Sequence, residues 1–189
     1  MWKHSLLQWK NIMQIENLVK AACDAGAFKA TVITARHIET DICFRHMCVS
    51  NACGMYGKNW MCPPAVGEIS ALTAQLKLYD HALVYQSVCK LKDHFDFEGM
   101  MEAQTAHRQL SHHISVIFRG QETLHLGAGA CTVCRQCAMI TGENCRHPDL
   151  AIPSLEAYGV NVMQLAKAAD MRYINGEDTV TYFGAVLFH

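Results

Sequence analysis

The spacing of apolar residues divides the chain into helices and short strands. Helical spacing predicts one helix that begins at Ile69 and a longer one over residues 97–118. Short apolar or β-branched runs predict three strands, over residues 30–35, 81–89 and 123–126. Strands that alternate with helices are typical of a layered α/β fold.

Capping patterns predict a helix towards each end of the chain. Asn11 with Gln14 three residues later has the form of a capping box and predicts a first helix that ends near Gly26. Asn161 and Gln164 repeat this pattern and predict a short helix that extends to about residue 169.

The last residues of the chain predict a β-hairpin. A turn sequence at residues 175–178 lies between two apolar runs, at residues 172–174 and 179–188. A chain of 189 residues is long enough for one well-formed core. We therefore expect a single α/β domain over residues 1–189, with helices packed on a mixed sheet and a C-terminal hairpin.

Composition and charge exclude several functions. The chain is 51% hydrophobic and 17% charged, and its net charge of −1 gives no electrostatic argument for nucleic-acid or anionic-membrane binding. No apolar stretch is long enough for a membrane span or a signal peptide. Ten cysteines in a chain without an export signal favour a reducing cytoplasm and thiols that bind metal.

The most informative motif is a run of three cysteines, Cys131, Cys134 and Cys137, followed later by Cys145 and Pro148. Thiols at three-residue steps are poorly placed for disulfides with one another but can surround a compact inorganic cluster. Bacterial ferredoxins open their cluster motif with this C-x2-C-x2-C run, although their fourth cysteine follows sooner. Zinc ribbons instead use two separated C-x2-C pairs. The spacing therefore predicts an iron–sulfur site, with zinc or buried thiols as the alternatives.

A second group of thiols lies earlier in the chain and comprises Cys43, Cys48, Cys53 and Cys62. Their spacing matches no common zinc motif, and Cys62 precedes two prolines, as the last ferredoxin ligand precedes one. The two remaining thiols, Cys23 and Cys89, occur in helix-like and strand-like contexts and are predicted to be buried hydrophobes.

Each cysteine group follows a predicted strand, so the fold class predicts where the two groups lie. Ligands of open α/β sheets collect at the carboxyl ends of the strands, and we therefore expect the two cysteine-rich loops to lie at one edge of the sheet. Three arrangements are compatible with this placement. Each group holds its own four-iron cluster, the groups exchange a ligand, or both loops contribute to one cluster.

The combined motifs resemble a known family, the predicted metal-binding proteins with a domain of unknown function. The resemblance covers about residues 31–165 and rests on the spaced thiols and the segments CPP, GAGAC, CRHP and PSLEAYGVNV. It implies metal or iron–sulfur binding in mostly anaerobic bacteria and archaea, without an assigned substrate. In the first group it implies three ligands, Cys48, Cys53 and Cys62, and leaves Cys43 outside the pattern.

Other side chains near the thiols have two interpretations each. The cations Arg45, Lys58, Arg135 and Arg146 either tune a negatively charged cluster or keep the loops soluble. His147 is a candidate replacement for one cysteine, as imidazole is in Rieske centres.

His107 lies on the apolar stripe of the predicted long helix, so we expect a core histidine there rather than a ligand.

Three functions follow from these observations. The first is an iron–sulfur protein, with one or two 4Fe–4S clusters, that passes electrons to a redox partner protein. The second is an enzyme whose first cysteine group leaves one iron open to a small sulfur- or oxygen-bearing ligand. The third is an interaction module stabilised by zinc. The pattern assigns no catalytic side chain.

Overall fold

The computed structural model describes residues 14–189 and contains one four-stranded sheet. The strands stand in the order β1-β2-β4-β3, and every neighbouring pair is antiparallel. Their bounds are β1, Lys29–Thr34; β2, His81–Lys90; β3, Leu124–Leu126; and β4, Thr179–Phe188.

Five α-helices accompany the sheet in the part of the chain that the structure describes. They are α1, within residues 14–24; α2, Ile42–Val49; α3, Ile69–Leu76; α4, Phe97–Ile117; and α5, Val162–Ala168. The α/β class, the long helix and the three strands predicted ahead of the C-terminal hairpin are thus confirmed, with boundaries that shift by one or two residues. Over residues 14–189, no helix is both long and apolar enough to cross a membrane.

The sheet is buried on both faces because helices pack on each side. Along β2, Ala82 and Val84 join one apolar cluster with α3 and α5, whereas Leu83 and Tyr85 join another with α4. Strand side chains alternate between faces, so a strand covered on both sides needs a continuous apolar run. The run from Ala82 to Tyr85 meets that need, with every one of its residues fully buried.

The long helix α4 is built as its sequence predicts. Ala103, His107, Leu110 and Ile114 are buried on one stripe. His107 is a core histidine, fully buried, with its Nδ1 2.8 Å from the Ser87 hydroxyl.

The caps of α4 and α5 are side chains of the preceding residues. At α4, the Asp96 side chain accepts a hydrogen bond from the Gly99 amide at 3.0 Å. At α5, the predicted cap forms, since the Asn161 side chain accepts from the Gln164 amide at 3.1 Å. The capping box predicted at Asn11 lies outside the described residues.

Two details of the predicted sheet are wrong. The sheet is wholly antiparallel rather than mixed, and residues 172–174 form no strand, so the predicted C-terminal hairpin is absent. The turn at residues 175–178 instead leads directly into β4, which pairs with β2 over ten residues. The partner of β4 is therefore β2, which is distant in sequence, and not residues 172–174.

A short helix, α2, replaces the loop predicted for the start of the first cysteine group. The Asp41 side chain accepts a hydrogen bond from the Cys43 amide at 2.8 Å and so caps the first turn. Arg45 is the one buried residue of this helix. Without a stripe of buried apolar side chains, α2 lacks the periodicity by which a helix is recognised in sequence.

The two cysteine-rich loops do meet, but not because their strands end at the same edge. In an antiparallel sheet of this order, β1 and β3 run in opposite directions, so their carboxyl ends point apart. Instead, the chain that follows β3 folds back towards the start of α2. Gly127 bridges Ser154, and Val160 then bridges Thr40, which lies just ahead of α2. This return path brings the second loop to the first.

Candidate metal centre

All four thiols of the second group face one small cavity. Its walls include Cys131, Cys134, Cys137 and Cys145, together with His147. Residues 128–153 form a loop that two backbone hydrogen bonds of 2.9 Å close at its base, from the Gly127 amide to the Pro153 carbonyl and from the Leu155 amide to the Gly127 carbonyl. The thiols are thus held by a loop with a fixed neck rather than by helices or strands.

Three thiols of the first group also lie near one another. Burial raises the pKa of Cys62 to about 12, with further contributions from Cys53, Cys48, Cys131 and Cys137. Cys62 is therefore close to thiols of both groups. The pKa of Cys48 is likewise raised, chiefly by burial, and Cys53 contributes to the shift. Cys48, Cys53 and Cys62 thus form one neighbourhood, which adjoins the second group through Cys62.

Cys43 stands apart from that neighbourhood. It is exposed, on the first turn of α2, and the chief influence on its thiol is Asp41, whose hydrogen bond and charge raise its pKa. Cys43 and Cys48 are five residues apart on α2, so their side chains project about 140° apart around the helix axis. Cys43 therefore projects from a different side of α2 than Cys48.

Two side chains absent from the predicted site join the cysteine loops. Asn59 is 2% exposed, and its amide donates a hydrogen bond of 2.6 Å to the Cys131 carbonyl. The Trp60 indole donates to the Glu143 carbonyl at 3.0 Å. Both residues lie just ahead of Cys62 in sequence. In the sequence, Asn59 and Trp60 are recognisable only as a polar and an aromatic residue between Gly57 and Cys62. This pattern does not predict which residues they contact.

Two partly buried thiols of the site, Cys62 and Cys131, resist ionisation in the absence of a cation. Burial is the main cause of the raised pKa of Cys131, although the amides of Val133 and Ile152 point towards its sulfur and oppose the shift. Since Cys62 behaves in the same way, these thiols are protonated at neutral pH. A metal centre supplies the positive charge that stabilises thiolates, and its binding releases their protons. The all-thiol donor set therefore fits a thiophilic metal centre.

The cations predicted around the site differ in their roles. Arg45 is no surface cation, since it is 9% exposed and its guanidinium donates hydrogen bonds to the Ala157 carbonyl at 2.7 Å and the Gly67 carbonyl at 2.5 Å. Its charge lowers the pKa of Cys48 against the effect of burial.

The other predicted cations, Lys58, Arg135 and Arg146, are exposed. Arg146 pairs with Glu143 at 3.0 Å and contributes to the wall of the thiol cavity.

The remaining thiols lie elsewhere. Cys23 is exposed on α1, so its predicted burial is wrong, and Cys89 is partly buried on β2. Over residues 14–189, no group of three or more His, Cys, Asp or Glu side chains converges on a single-ion site.

Comparison with known proteins places the chain in a family. Neither the curated proteins nor the solved structures give a match. A family profile matches residues 31–188, which is nearly the whole chain and includes both cysteine groups. The match confirms the resemblance carried by the spaced thiols. The chain belongs to the family described as predicted metal-binding protein (DUF2284).

Proposed function

We propose that this protein binds iron–sulfur clusters, of the 4Fe–4S type, and that it transfers electrons to a redox partner protein in a reducing cytoplasm. The ligands to one cluster would be the second-group thiols, Cys131, Cys134, Cys137 and Cys145. Those of the other site would be the first-group thiols, Cys48, Cys53 and Cys62. The cluster, when bound, supplies one-electron redox chemistry at a potential that the surrounding charges and hydrogen bonds adjust.

One observation carries the proposal. Four thiols that span the C-x2-C-x2-C run and its downstream cysteine line a single cavity. The run is the opening of a ferredoxin motif, and no other residue type is as frequent among the walls of this cavity. The proximity of Cys62 to Cys131 and Cys137 adds a second argument, because electrons pass efficiently only between centres that lie close together.

The protein surroundings favour retention of such a centre. Asn59 ties the first loop to the carbonyl of Cys131, and the closed neck at Gly127 holds the second loop in place. The partly buried thiols limit access of water and oxygen to the centre. In this role the contacts would position the ligands, and the partly exposed thiols would allow a redox partner to approach the centre.

The test is anaerobic expression with added iron, followed by assays of iron and acid-labile sulfide and by EPR spectroscopy. We expect a brown protein with about four or about eight iron atoms per chain. Cys134→Ser should lower iron content and stability together, whereas Cys23→Ser, which changes an exposed thiol on α1, should leave both unchanged. A colourless protein with stoichiometric zinc would support the zinc-stabilised module instead.

A second candidate function is favoured by the position of Cys43. Because that thiol lies apart from Cys48, Cys53 and Cys62, the first group offers three ligands, and one iron of a four-iron cluster would have no cysteine. Glu156 lies close enough to Cys48 to influence its pKa, and burial raises the pKa of Glu156 itself. In this role the protein would be an enzyme that binds a small sulfur- or oxygen-bearing ligand.

The two functions differ in their response to Cys43→Ser and to added ligands. For the open site, Cys43→Ser leaves the iron content unchanged, Cys48→Ser lowers it, and cyanide or a thiol alters the EPR signal of the reduced protein. A loss of about half the iron in Cys43→Ser, with a spectrum insensitive to added ligands, would leave electron transfer as the function.

A further inference from the structure

Beside the thiol cavity lies a second cavity with a different lining. It has a volume of about 250 Å³ and opens between one face of α4 and the loop that follows β3. Arg108 and His112, four residues apart, contribute from the helix, and Cys131 stands at the loop side. Its volume suits a small organic molecule rather than a nucleotide or a peptide.

The charge of this cavity is positive. None of its lining residues is acidic, and Arg108 is its only arginine or lysine. The Arg108 guanidinium donates to the Thr105 hydroxyl at 2.9 Å and to the Gln104 side-chain oxygen at 3.4 Å, which are both neutral. Within residues 14–189, Arg108 has no carboxylate partner. A half-buried guanidinium with neutral neighbours is the kind of group that recognises a carboxylate.

Residues that line this cavity also carry hydrogen-bonding groups without a protein partner among the described residues. The Nδ1 atom of His112 is buried and has no partner in the described part of the chain. In the glycine-rich loop, the amides of residues 128–130 make no backbone hydrogen bond within residues 14–189. Gly129 permits the close approach of this loop to α4, since a Cβ there would lie 2.7 Å from the Gln104 side-chain nitrogen and its φ is +74°.

Apolar side chains complete the cavity and define the rest of the ligand. Val133, Leu150 and Ile152 also line it. A ligand that satisfies both parts has an anionic head and a small apolar body. We propose that this cavity binds a small organic carboxylate, with the carboxylate at Arg108, the apolar body against Leu150 and Ile152, and one end beside Cys131.

This site goes beyond the proposed function, because it concerns a ligand of the protein rather than the metal centre. It also gives a reason for the shape of the GAGAC segment, whose glycines bring the loop against α4. A carboxylate bound there would lie next to a candidate cluster ligand.

The experiment is isothermal titration calorimetry with the anaerobically purified protein and three probes: benzoate, its neutral isostere benzamide, and inorganic phosphate. We expect saturable benzoate binding and at least about tenfold weaker binding of benzamide and of phosphate, since each lacks one part of the match. Equal affinities for benzoate and benzamide would refute the role of the charge. Phosphate that binds as tightly as benzoate would refute the organic ligand. No saturation by benzoate up to about 10 mM would overturn the proposal altogether.

Variants then locate the binding site. Arg108→Gln should weaken benzoate binding at least about tenfold, and Arg108→Lys, which keeps the charge, should weaken it less. The matched control is Arg119→Gln, which removes an exposed arginine just beyond the end of α4 and away from this cavity. Unchanged binding in a folded Arg108→Gln protein would overturn the proposal. Iron content measured on the same samples reports on the metal centre separately.

Discussion

Replacement of Arg45 should destabilise the protein and release its first cysteine loop. The guanidinium joins α2 to two other segments through the carbonyls of Ala157 and Gly67. Hydrogen bonds to charged groups contribute about 1.5–3 kcal/mol each, so two of them contribute about 3–6 kcal/mol. Arg45→Met retains the apolar stem but loses both bonds. Relief of the buried charge offsets part of the loss, and we expect a net decrease of about 2–4 kcal/mol in the free energy of unfolding.

Urea unfolding followed by far-UV circular dichroism measures this decrease. With a slope of about 2 kcal/mol per molar urea, the midpoint should fall by about 1–2 M. Arg36→Met is the matched control because Arg36 is exposed, and its replacement should change stability by less than about 0.5 kcal/mol. Iron content should also fall in Arg45→Met, since α2 carries Cys48.

Two results would refute this reasoning. If Arg45→Met unfolds at the same urea concentration as the unmodified protein, the buried hydrogen bonds do not stabilise α2. If the variant is destabilised but binds the full amount of iron, Arg45 stabilises the fold without positioning the first cysteine loop.

Three further predictions concern other parts of the molecule. Burial lowers the pKa of His107 to about 4, so as the pH falls the unfolded chain takes up a proton at this residue before the folded protein does. Below about pH 6.5 the free energy of unfolding should therefore fall by about 1.4 kcal/mol per pH unit because of His107. In unfolding experiments from about pH 7 to about pH 4.5, His107→Gln should remove this part of the pH dependence. Gly184→Ala should cost about 1–3 kcal/mol in thermal unfolding, because its Cβ would lie 2.2 Å from the Tyr85 ring. The same change should cost less in a Tyr85→Leu background, where that ring is absent. Asn59→Ala should lower metal content by separating the two cysteine loops, whereas Asn144→Ala, at an exposed position, should not. Equal metal content in the two variants would show that the hydrogen bond from Asn59 to the Cys131 carbonyl is not needed for metal binding.

The sequence by itself determined most of the helices and strands and indicated metal binding. Periodicity of apolar residues is set by backbone geometry, so it predicted α4 and the strands β1, β2 and β3 within one or two residues of their bounds. The spacing of Cys131, Cys134 and Cys137 likewise indicates metal binding without any tertiary structure, because thiols so close together in sequence can bind one centre. Both signals come from residues close together in sequence, so they can be recognised in a single sequence.

Tertiary structure alone decided which segments pair and which side chains meet. The antiparallel order of the sheet, the return of the second loop through Gly127 and Ser154, and the burial of Arg45 all depend on contacts between residues distant in sequence. The bond from Asn59 to Cys131 spans 72 residues and leaves no periodic trace in either segment. Such contacts depend on the packing of the whole core, where many weak interactions together select one arrangement, and no single segment carries that information.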